Sequence, residues 1–330
     1  MTAISKLAMK PSPDRYLRPF DVRKDTRAVA DLVEMCFADT LDADGRRYLN
    51  HLRMNASNTG LLRWTALTAG LASAPLSGYV WEQDSKIIGN ASLIPYFVGG
   101  KRFFLIANVA VHPEYRRRGI ARKLTESLIQ RAQAHGAPQV WLHVRDDNQA
   151  AYNLYHSQNF VEQTRRTTWL SQNQVVSENP PAGIRFMQLR RNHWSLQRQW
   201  LQQTYPPKFS WHLAINANLL RPGLLGWIWR MINNTYVTQW SMLQGRRLLG
   251  VVSWQSSHGA TDQLFLAVPS DGQETDVRAL LVHAFRHIPS HRTVSFDYPA
   301  GQFPRAIQAA GFAKRQTLIW MCMDLFPGKS

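Results

Sequence analysis

Asn108-Val-Ala-Val111-His-Pro113-Glu-Tyr-Arg116-Arg-Arg-Gly119-Ile-Ala121-Arg-Lys-Leu124 is the stretch of this 330-residue chain from which its fold is read. An apolar strand ends in a tight basic loop with one glycine, and from Arg116 the pattern turns helical to about residue 135. Successive backbone N–H groups at a helix start point at one spot and carry partial positive charge, so a pyrophosphate fits there. Gly119 lets the backbone approach a ligand closely, and Ala121 leaves room in the first turn. Arg116, Arg117, Arg118, Arg122 and Lys123 add charge suited to a phosphate-rich ligand. The plainer alternative is a capped helix with a solvated basic face.

Working outward, the strands 78–82, 86–96 and 102–111 precede this segment, divided by turns at 83–85 and at Gly99-Gly100. Before them come a strand at 16–22, a helix capped by Asp25 and running to about 37, and a second helix ending near 54. After the segment come a strand at 139–144, a helix at 148–157 and a strand at 160–170. The helix reads Asn148-Gln-Ala-Ala151-Tyr-Asn-Leu154-Tyr155-His-Ser-Gln-Asn159-Phe160. Asn148 is a good N-cap whose amide can also hold a ligand amide, and Tyr155 shares a helical face with Asn148 and Ala151. Asn159 suits a left-handed helix end.

In these two segments the sequence resembles the GNAT superfamily of acyl-CoA N-acyltransferases. The resemblance rests on Arg-x-x-Gly-x-Ala at 116–121 after a Val-x-Val-x-Pro strand, and on the Asn-x-x-Ala…Leu-Tyr…Phe helix. It covers 100–165 strongly and extends over 16–170. It implies that the backbone of Val109, Ala110 and Val111 bonds the pantetheine arm of acetyl-CoA. It implies that the loop and helix start from Arg116 through Gly119, Ile120 and Ala121 to Arg122 hold the pyrophosphate. Asn148 would contact pantetheine, and Tyr155 would protonate the departing thiolate. Asn159 departs mildly from the family's glycine.

Acyl transfer from a thioester passes through an oxyanion, which a backbone N–H near Val109 to Val111 can stabilise. The amine must also lose a proton. Many relatives place a carboxylate on the strand matching 104–111, but this strand has none. His112, Glu114 and His143 are candidates, each more simply read as structural, and no base is assigned.

Residues 171–182, polar and ending in Pro-Pro-Ala, read as a linker. Beyond them the element order repeats, giving an expected division into an arm at 1–15, an active domain at 16–170 and a degenerate copy at 183–330. The expected class is mixed α/β, with two tandem GNAT-like domains built on mostly antiparallel twisted sheets flanked by helices. In the copy, the stretch 267–278 replaces the basic loop with Asp271, Glu274 and Asp276, and like charge would repel a pyrophosphate. Aligning Gly311-Phe312 with Asn159-Phe160 puts Ala300 at the Asn148 position and Ile307 at the Tyr155 position. Trp227, Trp229, Tyr236 and Trp240 read as ordinary core aromatics, with an acceptor-pocket wall as the second reading.

The chain carries a net charge of +17 and is 45% hydrophobic. The basic residues are spread, with no Lys/Arg run of five and no helix-turn-helix or zinc-finger spacing, so the charge supports anion affinity without naming the anion. Cys36 and Cys322 sit among apolar neighbours and read as buried thiols, with no metal implied. No run reaches the ~20 apolar residues of a membrane span; the nearest, 60–76, is broken by Arg63, Gly70 and Pro75. The expectation is a cytoplasmic acetyltransferase that takes acetyl-CoA and a primary amine, small-molecule or protein. A non-catalytic acyl-CoA sensor is the alternative, and a nucleic-acid-associated protein has thinner support. The segments 38–78 and 205–235, where acceptor pockets vary in this family, carry no motif that names the acceptor.

Overall fold

The computed structural model describes residues 13–38, 43–54, 77–172, 182–210, 215–257, 259 and 261–326. Most of the expected arm 1–15, of the linker 171–182 and of the segment 38–78 lies outside them. The chain divides into two compact units, Met1–Leu142 with Cys322–Ser330, and His143–Met321.

In the first unit, β1 (Leu17–Pro19), β2 (Gly78–Gln83), β3 (Lys86–Val98) and β4 (Lys101–Val111) pair antiparallel in that order. β5 (Gln139–Arg145) begins in this unit and pairs parallel with β4. Helix α1 (Val22–Phe37) buries Val29, Ala30, Leu32 and Val33 against Val80 and Ala110, joined by Leu49 of α2 (Ala43–Met54). Its cap is Asp21, whose Oδ1 accepts from Arg23 N at 2.9 Å, and not Asp25. Asp25 is instead buried and ion-paired to Arg18 at 2.6 Å. The cap falls four residues earlier than expected because Asp21 supplies an equivalent side chain where the backbone is still extended.

Helix α3 (Ile120–Ala134) presents Leu124, Leu128 and Ala132 to the core, all fully buried. A Cβ at Gly89 of β3 would stand 2.9 Å from Ile120 Cγ2 and 3.2 Å from Leu124 Cδ1, so the glycine lets the helix start lie close on the sheet. The last residues of β12 (Phe312–Asp324) also belong to this unit. Gln139 Nε2 donates to Asp324 Oδ1 at 2.7 Å, and Leu325 N donates to the Pro138 carbonyl at 2.9 Å.

The second unit contains α4 (Gln149–His156), β6 (Val161–Ser171), β7 (Ile184–Gln188), α5 (Trp194–Thr204), β8 (Val237–Gln244), β9 (Arg247–Gln255) and β10 (Thr261–Ala267). α9 (Glu274–His287), β11 (Thr293–Pro299), α10 (Pro304–Ala309) and most of β12 complete it. The order β7-β8-β9-β10-β11 runs antiparallel three times and then parallel, repeating the pairing sequence of β1 to β5. The sixth strand breaks the repeat. β6 pairs antiparallel with β11 in the second unit, while the end of β12 joins β5 in the first. The second core gathers Val251, Leu266, Leu280, Phe296 and Ile307, all fully buried.

Three short helices lie where the sequence offered no element: α6 (Pro207–Ser210), α7 (Ala217–Leu220) and α8 (Leu224–Ile232). Four residues are too few to display a helical period. The aromatics there correct the core assignment, since Trp227, Trp229 and Tyr236 are exposed and only Trp240 is buried. Among the described residues no helix is long and apolar enough to cross a membrane.

Candidate functional site

β4 carries a bulge at the point where the sequence reading looks for a ligand. Its register with β3 runs through Ala107↔Ser92 and resumes at Ala110↔Asn90, so Asn108 and Val109 stand against Ala91 alone. Asn108 adopts φ +53, a left-handed conformation that asparagine tolerates better than most residues. Asn90, fully buried, donates from Nδ2 to the Asn108 carbonyl at 3.0 Å and fixes the bulge. The parallel ladder to β5 ends at Ile106↔Leu142, leaving 107–111 beyond its last pair. Val109 and Val111 are half-buried and Ala110 buried. Asn90 was missed from sequence; its signal was a lone amide within the apolar run 87–94.

The basic loop then folds onto the strand end. Arg116 Nε donates to the Val111 carbonyl at 3.1 Å, and Cys36 Sγ approaches the same oxygen at 3.4 Å. Arg118 Nη2 donates to the Glu114 carbonyl at 3.0 Å and its guanidinium lies 4.8 Å over the Tyr115 ring. Two of the three loop arginines therefore shape the loop. Arg117, at φ +64, is exposed and among the described residues makes no hydrogen bond or ion pair.

Gly119 is the N-cap of α3 at φ +81, with no side-chain cap and no acidic residue in the first turn. The helix therefore begins at Ile120, four residues later than the sequence suggested, because Arg116 is extended at ψ 161 and Arg117 left-handed. First-turn N–H groups have no intrahelical acceptor. A Cβ built at Gly119 meets nothing within 4 Å, so the space beside the N-cap is open. Uncapped donors, alternating backbone conformations and flanking arginines fit a phosphate-bearing ligand.

In the second unit, Asn148 caps α4 as expected, its Oδ1 accepting from Ala151 N at 3.1 Å. Tyr155 is buried and packs edge-on to Phe160, with ring centroids 6.0 Å apart. Burial pushes its phenol well above the ordinary tyrosine range, so the hydroxyl keeps its proton at neutral pH. Asn159 takes φ +66 and ends the helix as a glycine would.

Of the candidate bases, His112 is used locally. Its Nδ1 accepts from Glu114 N at 3.4 Å and its ring meets Tyr115 edge-on. Glu114 is exposed and lends its carbonyl to Arg118. His143 lies 4.5 Å from the Trp320 ring, and desolvation holds its imidazole down at about 4.

The second unit also holds a counterpart of the bulged strand. Its parallel ladder ends at Gln263↔Ser295, as the first ends at Ile106↔Leu142. Leu266 is three residues past that point, as Val109 is in β4. The Leu266 N–H donates at 3.2 Å to the hydroxyl of buried Tyr205. Nearby, buried Arg166 pairs with Asp297 and donates to the Thr204 carbonyl at 2.8 Å. Glu274, in the first turn of α9, spends its carboxylate on Ala306 N at 2.6 Å and so caps α10. The Leu266 N–H is thus satisfied from within, and the first turn of α9 carries Glu274 and Asp276 where α3 has no acidic residue.

The sequence pattern of the acetyltransferase (GNAT) family matches residues 45–160. The [ribosomal protein bS18]-alanine N-acetyltransferase of Escherichia coli (strain K12) is 44% identical over 62 residues, 19% of this chain and 42% of the relative. The chain thus spans about two fifths of the length of that relative. The peptidyl-lysine N-acetyltransferase YiaC of the same strain is 33% identical over 115 residues, 33% of this chain and 69% of the relative. A tandem GNAT protein from the clavulanic acid biosynthesis pathway superposes with a TM-score of 0.50 at 16% identity, over 95% of this chain and 99% of the other. A GCN5-related N-acetyltransferase from Sphaerobacter thermophilus does so with a TM-score of 0.57 at 16% identity, over 96% and 98%. The architecture is thus a tandem GNAT fold, two copies of one mixed α/β unit. The chain belongs to the GNAT acetyltransferase family.

Proposed function

We propose that this chain is a cytoplasmic N-acetyltransferase that transfers an acetyl group from acetyl-CoA directly to a primary amine. In it, 16–170 acts as the acyl-CoA domain and 183–330 as a degenerate copy. The observation that carries this is the start of α3, an uncapped helix end with open space beside its glycine, set in the family's Arg-x-x-Gly-x-Ala motif. The pyrophosphate is held by the N–H groups from Gly119 to Arg122, with exposed Arg117 supplying positive charge. The backbone of Val109 to Val111 meets the pantetheine arm, and the Asn148 amide its far end, as the family resemblance implies.

In the reaction the amine nitrogen attacks the thioester carbonyl carbon, a C–N bond forms and the C–S bond breaks. The sulfur takes the Tyr155 proton, and the proton lost by nitrogen passes to solvent. Tyr155 then recovers a proton from water. Holding both reactants in one geometry contributes much of the rate.

The names of the two E. coli relatives point to protein amines, an N-terminal alanine and a lysine side chain, as the first acceptors to try. The experiment is a panel of alanine-start peptides, lysine peptides and small amines with acetyl-CoA, followed by free-thiol release. Tight acetyl-CoA binding with no amine raising thiol release above hydrolysis would favour the sensor reading instead.

A further inference from the structure

Helix α8 is amphipathic the wrong way round for a core helix. Leu224, Leu225, Trp227, Trp229, Met231 and Ile232 are exposed, from 42% at Trp229 to 69% at Ile232. At 100° per residue its apolar side chains cover an arc of about 200°. The inward face is Gly226 and Arg230. A Cβ at Gly226 would come within 1.7 Å of the Arg221 carbonyl oxygen, so only glycine seats the helix there. Arg230 Nη1 donates to the carbonyls of Leu219 at 2.9 Å and Arg221 at 3.2 Å. Two inward anchors thus hold the apolar face toward solvent.

The chain on both sides of it carries charge of one sign. From Asn179 to Thr261 the chain carries nine Lys and Arg residues and no Asp or Glu. Exposed Arg221 lies just before the helix, and the Arg191 guanidinium sits 2.9 Å from where a Cβ of Gly223 would be. Protein interfaces intersperse polar groups that hydrogen-bond across them, but this arc has none. A nine-residue helix is about 13 Å long. A short helix with an apolar outer face, two tryptophans and a flanking sequence whose only charges are cationic matches the interfacial helices that lie in the headgroup layer of a membrane. We propose that α8 docks this protein reversibly on an anionic lipid bilayer surface, the apolar arc entering the acyl boundary and the arginines meeting lipid phosphates.

The test is flotation of the full chain with phosphatidylcholine vesicles and with vesicles containing about a third phosphatidylglycerol. Leu225→Asp/Ile232→Asp is the test variant, since both residues are exposed and the fold should tolerate the change. Its circular dichroism and melting are compared with the parent, and its oligomeric state is followed by light scattering. The expected result is binding to anionic vesicles only, weakened at least tenfold by the variant and by 0.5 M salt (roughly a 3 Å to 5 Å screening length). No binding to either vesicle, equal binding to both, or unchanged binding by the variant would overturn the proposal. So would a parent dimer that the variant splits into monomers, which would assign the face to self-association. If the variant misfolds, Arg190→Glu/Arg191→Glu must reduce anionic binding at least tenfold for the proposal to stand.

Discussion

Gly119 shows how one residue carries both fold and ligand constraints. Its φ of +81 costs a side chain about 1 kcal/mol, while a Cβ there meets nothing within 4 Å. Gly119→Ala and Gly119→Val should therefore keep the protein folded, with acetyl-CoA affinity lowered progressively and at least tenfold for valine. Titration calorimetry with a melting curve separates the two effects. Tyr155 is placed differently. Its buried phenol stays protonated at neutral pH, as a proton donor must. Tyr155→Phe should lower turnover by about ten- to a thousandfold with little change in acetyl-CoA binding, because the proton moves only as the thiolate leaves. Equal turnover, with chemistry rate-limiting, would remove it from the mechanism. His143 bears on stability. Its folded pKa is about 4, below the ordinary value near 6.5. The unfolded chain therefore takes up a proton that the folded chain refuses. Stability from this group is complete above about pH 6.5 and is lost as pH falls toward 4. The melting temperature should drop across that window, and His143→Gln should make the drop smaller.

At the scale of elements, the strand-loop-helix from 101 to 134 was the most legible part of the chain. Its apolar alternation, single glycine and amphipathic helix all act locally. The cap of α1 and the start of α3 each moved by four residues, because competing aspartates and a left-handed arginine decide helix ends on backbone detail that periodicity does not record. The site's local parts, the caps at Asn148 and the turn at Asn159, were readable as spacings. Asn90 and Tyr205 were not, because each acts on a backbone group of another element, 18 and 61 residues away, that spacing does not reveal. Helix α8 was hidden because its apolar residues face outward. The buried Arg166–Asp297 pair is another contact between remote elements, linking β6 with β11. Arg166→Met should destabilise by about 3–5 kcal/mol, since it strands a buried carboxylate, and adding Asp297→Leu should recover most of the loss. Denaturant midpoints of the two variants decide this.

At the scale of the molecule, the repeat read from element order holds through five strands and fails at the sixth. β6 is largely polar and β12 carries a buried apolar run from Ile319 to Cys322, but nothing in either sequence names its partner. The exchange makes the two halves interdependent. A chain ending near residue 177 loses the residues that bond Pro138 and Gln139. It should be poorly soluble or melt far below the full chain, so dissection by truncation would confuse folding with function. Acetyl-CoA stoichiometry is the better measure of the second half. With the Leu266 N–H already satisfied by Tyr205 and an acidic first turn at Glu274 and Asp276, calorimetry of the intact chain should give one site, and Gly119→Val should abolish it. Two sites would show that the second copy still binds.

The exchanged strand also orders events at the ribosome. β5 is made early, but the segment that bonds its first residues, 324–325, emerges about 180 residues later, on the order of ten to forty seconds at ordinary elongation rates. Throughout that interval the N-terminal unit holds an open strand edge, the feature that invites pairing with a neighbouring nascent chain. Completion of the N-terminal unit therefore waits on the birth of the other half, and its yield in a cell depends on how well that edge is chaperoned until the last strand arrives.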